Sequence, residues 1–94
     1  MIDAAEALRI GLVNRVVPPA SLLEEALALA GKIAANAPLA VAAALEAARR
    51  GLDTDLDQGL RFESTLFGIL GSTQDMHDGL SAFVEKRKPK FEGR

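Results

Sequence analysis

Cysteine is absent from this chain, as are tryptophan and tyrosine, and each absence removes a class of explanation. Without cysteine there are no disulfides and no thiolate metal sites, which fits a reducing cytoplasm. Aromatic content is limited to four phenylalanines, and the basic stretch lacks the interleaved exposed aromatics expected of a nucleic-acid surface. No apolar run reaches the ~20 residues of a membrane-spanning helix, because charges interrupt every hydrophobic stretch. The first ten residues carry Asp3 and Glu6 and no basic cluster, which argues against a signal peptide.

What is present is alanine and leucine. Hydrophobic residues make up 49% of the 94 residues and charged residues 26%, a globular balance. Alanine-rich helices pack closely but bury little area each, so the isolated chain is expected to be marginally stable. The net charge of −2 is uneven: Lys86, Arg87, Lys88, Lys90 and Arg94 against Glu92 give +4, leaving −6 for the rest.

The spacing of apolar residues predicts an all-α chain of about five helical segments, with one short edge strand near 12–17. Asp3 caps a short helix over 3–9 that Gly11 ends. Leu12 to Val17 is β-prone and is stopped by Pro18-Pro19. Leu22, Ala26, Leu29 and Ile33 repeat at helical spacing in a second helix over about 19–35. Asn36-Ala37-Pro38 breaks it, and Pro38 starts a third helix that Gly51 stops. That helix is apolar on most sides until Glu46, and so few other residues exist to bury it that a partner surface is expected. Thr54 is the expected cap of a fourth helix over about 55–70, and Ser72 or Thr73 the cap of a fifth over about 73–86. There, Met76, Leu80, Phe83 and Val84 form the apolar stripe, and Pro89 prevents continuation.

Read as residues alone, the candidate sites have ordinary explanations. Phe67 and Phe83 at helical spacing are core side chains. Glu63 is expected at the edge of an apolar stripe, paired with a nearby arginine. His77 is flanked by Asp75 and Asp78, which point to different helix faces, so no metal site is expected. The basic residues after Glu85 suit a helix C-terminus, a phosphate clamp or, least well on an acidic chain, nucleic acid.

Four blocks in order carry a family resemblance. They are Ala4 to Pro18 with Glu6, Gly11, Leu12 and Val13; Ala30 to Pro38 with Ile33 and Asn36; Leu60-Arg61-Phe62-Glu63 with Phe67; and Ser72 to Phe91 with Gly79, Phe83 and Glu85-Lys86-Arg87. Together the chain resembles the C-terminal segment of the enoyl-CoA hydratase/isomerase (crotonase) superfamily. The resemblance implies the C-terminal helical part of that α/β fold, with residues 1–18 closing the core and 19–94 forming a helical lid and oligomerisation region. It implies acyl-CoA thioester chemistry, in which two backbone N–H groups hold the thioester oxygen and one or two glutamates move protons. Those elements belong upstream of the first block, so no catalytic residue is expected in this chain and the isolated chain is expected to be inactive. What it implies here is CoA or acyl contact by Phe67, Phe83 and Lys86, with Lys86 on the adenosine 3′-phosphate. Coenzyme A thioester as substrate, no further cofactor, a homotrimer or hexamer, and neither nucleic acid nor membrane as partner complete the expectation. The competing expectation is an autonomous helical module that oligomerises through the helix at 38–48.

Overall fold

The computed structural model describes residues 1–94. The order is α1 (Ala4–Arg9), a 3₁₀ turn (Pro19–Ser21), α2 (Leu22–Ala34), α3 (Pro38–Leu52), α4 (Leu56–Leu70) and α5 (Gln74–Glu85). The all-α expectation holds. The chain divides into two compact units, Met1–Lys32 and Ile33–Arg94.

In the first unit, Asp3 caps α1 by accepting a hydrogen bond from the Glu6 N–H at 2.8 Å. Gly11, at φ 77°, takes the left-handed conformation that ends the helix. The edge strand expected over 12–17 does not form. The Leu12 and Val13 N–H groups instead turn back to the Ala7 carbonyl at 2.9 and 3.3 Å. A β-prone run with no strand beside it has no ladder to join, and here the helix end takes its donors. Pro18 and Pro19 then set a 3₁₀ turn, so α2 starts three residues later than the periodicity predicts. Arg15 and Glu25 form an exposed ion pair at 2.7 Å.

The second unit is built on α3 packed against α4. Pro38 occupies the first turn of α3, where its missing N–H costs nothing. Gly51 does not stop the helix, which continues to Leu52. A Cβ on Gly51 would meet nothing within 4 Å, and it is Gly59 of α4 that sits close, where a Cβ would lie 3.4 Å from the Gly51 Cα. The cap of α4 is Asp55, not Thr54, with its carboxylate accepting from the Gln58 N–H at 2.9 Å. Thr73 caps α5 by accepting from the Met76 N–H at 3.2 Å. That helix ends at Lys86, three residues before Pro89, because Lys86 adopts φ 55° and ψ 36°. The Arg87 N–H returns to the Ala82 carbonyl at 3.0 Å, completing a left-handed helix stop usually made by glycine.

The core is slight. Ala7 and Ala82 are the buried apolar residues, and no large side chain is fully buried. The leucines of α2 are exposed, as are Leu45 and Leu52 of α3 and Leu60 of α4. The accessible surface is 7845 Å², above the roughly 6,200 Å² that two separately compact units of these lengths would show. The apolar stripes that specify these helices are thus present but uncovered. No single helix is long and apolar enough to cross a membrane.

Candidate functional site

The chemistry-bearing residues of the second unit fall into three places. The first is a groove between α3 and α4. Ala40, Ala43, Ala44, Ala47 and Ala48 form its floor on α3, with Glu63, Leu66, Phe67 and Leu70 of α4 opposite. Small residues at helical spacing leave an open trough where larger ones would fill it. Glu63 faces this trough without the arginine partner expected of it. Arg61 pairs instead with Asp57 at 2.9 Å, and Arg50 pairs with Glu46 at 3.2 Å while lying 5.0 Å from the Phe62 ring centroid.

Around the corner lies a cavity of about 290 Å³. It is walled by Leu39 and Ala40 of α3, Phe67 and Leu70 of α4, Met76 and Leu80 of α5, and Phe91. Phe67 therefore lines both hollows, and its ring is 66% exposed.

The third place is the end of α5. Phe83 is 85% exposed on its outer face, and the Lys86 N–H donates to the Phe83 carbonyl at 3.4 Å. Of the three residues assigned to CoA or acyl contact, Phe83 and Lys86 thus come together, while Phe67 lines hollows that neither of them borders.

The basic stretch is smaller than its composition suggests. Arg87 bridges Asp78 and Glu85, each at 2.7 Å, and Arg94 pairs with Glu92. These partners hold the Arg87 guanidinium firmly charged, Asp78 being the larger influence. Lys86, Lys88 and Lys90 are exposed and make no ion pair. The groups with displaced pKa values are Glu6, Arg9, Asp78 and Arg87, each moved chiefly by an ion-pair partner. Asp78 borders an open polar hollow with Ser72, Gln74 and Lys90, but its carboxyl is lowered by an ion pair, where a general acid's would be raised.

Asp75 and Asp78, read in the sequence only as flanks of His77, organise this region. Asp75 is only 2% exposed, and its carboxylate accepts from the Glu92 and Gly93 N–H groups at 2.7 and 2.9 Å. Its own N–H donates to the Arg94 carbonyl at 2.9 Å. One turn on, Asp78 accepts from Arg87 and from the Lys90 N–H at 2.5 Å. The two acids do not point to different faces as expected: their i, i+3 spacing puts them on neighbouring positions of one face, where both hold residues 87–94. Nothing local indicated what they hold.

Asp78 is held below the ordinary carboxyl value of 3.8, first by the Arg87 side chain and then by the Lys90 N–H. A depressed folded-state pKa contributes stability that is complete above the unfolded value and lost as pH falls through the folded one. In an acid titration, the Lys90 amide resonance is expected to move with a midpoint below 3.8. A midpoint at or above 3.8 would contradict the pairing.

The enoyl-CoA hydratase/isomerase family profile matches residues 1–94. This chain belongs to that family. It is 53% identical over 94 residues to a probable enoyl-CoA hydratase of Rhizobium meliloti, covering 100% of this chain and 37% of that protein. It is 52% identical over 87 residues to the short-chain-enoyl-CoA hydratase of Clostridium acetobutylicum, covering 93% of this chain and 33% of that protein. The crystal structure of an enoyl-CoA hydratase from Bacillus anthracis superposes with a TM-score of 0.93 at 44% identity, over 99% of this chain and 36% of that one. The chain spans about a third of the length of the relatives it matches. Its exposed helices are therefore the family's C-terminal helical part seen alone.

Proposed function

We propose that this chain supplies the CoA-facing and assembly surfaces of an enoyl-CoA hydratase acting on acyl-CoA thioesters, and that it lacks the reacting groups. The observation that carries the reading is the family match over residues 1–94 against a third of each relative's length. In this reading Phe67 borders the acyl pocket from α4. Phe83 contacts CoA bound to a neighbouring subunit, and Lys86 pairs with the adenosine 3′-phosphate. A compact ammonium on an open helix end suits a phosphate that remains partly solvated. The uncovered stripes of α2, α3 and α4 are assigned to the rest of the enzyme and to a homo-oligomer, a trimer or hexamer. Neither nucleic acid nor membrane has a place in this reading, and no cofactor beyond the thioester substrate is invoked.

A chimera tests it. These 94 residues would replace the matching third of the Rhizobium meliloti relative, and hydration of crotonyl-CoA would be followed. The chimera is expected to hydrate crotonyl-CoA. A soluble, correctly assembled chimera with no turnover would contradict the proposal.

A further inference from the structure

Residues 87–94 run back along α5, and their attachments are few and specific. Asp75 holds the Glu92 and Gly93 N–H groups and the Arg94 carbonyl. Asp78 holds the Arg87 guanidinium and the Lys90 N–H. Between these anchors the Phe91 ring lies beside Gly79, where a Cβ would meet it at 3.5 Å. The same ring closes one side of the 290 Å³ cavity. Lys88 and Pro89 span the gap, exposed and without a hydrogen-bonded neighbour on α5.

The turn into this segment is strained. Lys86 is the one non-glycine residue at positive φ in the chain, a conformation that crowds its Cβ against the backbone. Closure therefore sets two buried or half-buried carboxylates against a strained hinge. Release would relieve Lys86 and return the tail N–H groups to water, leaving Asp75 solvated at the first turn of α5.

We infer that residues 87–94 form a strap, hinged at Lys86, which opens as a unit and uncovers the Phe91 wall of the apolar cavity. An element fixed by polar anchors and one ring, with no large buried side chain, belongs to the low-stability end of a fold. Its hydrogen-bonding anchors all lie on α5, and it meets α3 only through apolar contact, with Gly93 beside the Pro38 ring and Phe91 across the cavity, so its opening costs α3 and α4 no hydrogen bond. Nothing in this device requires CoA.

Amide hydrogen exchange on the assembled Rhizobium meliloti chimera in CoA-free buffer reads it directly, in two opposed variants. Lys86→Gly removes the hinge strain, so the Glu92, Gly93 and Lys90 amides should exchange about five-fold more slowly. Asp75→Asn keeps the size but turns an acceptor into a donor facing a backbone N–H. The same amides should then exchange about ten- to hundred-fold faster, with α3 and α4 amides unchanged. Unchanged or faster exchange in Lys86→Gly overturns the hinge. Loss of α3 and α4 protection together with the tail in Asp75→Asn overturns the strap, since the segment would then be core. Because Lys86→Gly places glycine where glycine is preferred, the hinge stays testable even if the other variant fails to fold.

Discussion

Mixed with crotonyl-CoA, the purified 94-residue chain is expected to leave it unhydrated at every concentration tried. Hydration of an enoyl thioester needs donors aimed at the developing oxyanion and a carboxylate poised to move a proton. Glu63 is the carboxylate that borders the α3–α4 trough, and the rest of that trough is alanine, leucine and phenylalanine. No pair of free backbone N–H groups converges there, since apart from Ala40 in the first turn of α3 the lining residues lie in helix interiors whose amides bond within the helix. The displaced acids, Glu6 and Asp78, are lowered by arginines, which suits an ion pair and not a general acid. Turnover that survives rigorous purification and scales with this chain would refute the division of labour proposed above.

A second large effect concerns the uncovered faces. Leu23 at 71%, Leu52 at 88% and Phe83 at 85% exposure are values expected of surfaces that meet another surface. Sedimentation of the isolated chain should therefore give a broad, concentration-dependent distribution, and an apolar dye should bind strongly at all concentrations. A single oligomer that persists on dilution would favour the alternative of an autonomous module joined through the helix at 38–48. The physical distinction is whether α3 buries its apolar sides on copies of itself or on missing family structure.

The helices were legible because their signals are local. Asp3, Pro38 and Thr73 sit within three residues of the groups they satisfy, and apolar spacing does the rest. Where two cap-forming residues adjoin, as Thr54 and Asp55 do, sequence does not rank them, and the carboxylate won. Leu12 to Val17 misled because β-propensity describes a residue's fit to a sheet and not the existence of a neighbour. Gly51 misled because a glycine stops a helix by taking a positive φ, and Gly51 keeps the helical conformation through to Leu52. The strap was out of reach for a different reason. Its anchors join Asp75 to residues 17 and 18 positions away through backbone N–H groups, which every residue possesses. Of the candidate site, the sequence resemblance supplied Phe67, Phe83 and Lys86. The folded chain adds that the last two share a helix end and that Lys86 there takes a left-handed conformation.

The most direct measurement is the KM and kcat of the Rhizobium meliloti chimera with Lys86→Ala beside its parent. If this chain contributes binding and not chemistry, losing one ammonium-to-phosphate contact should raise KM for crotonyl-CoA about ten-fold while kcat stays within about two-fold. An unchanged KM, or a fall in kcat of comparable size, would contradict the account.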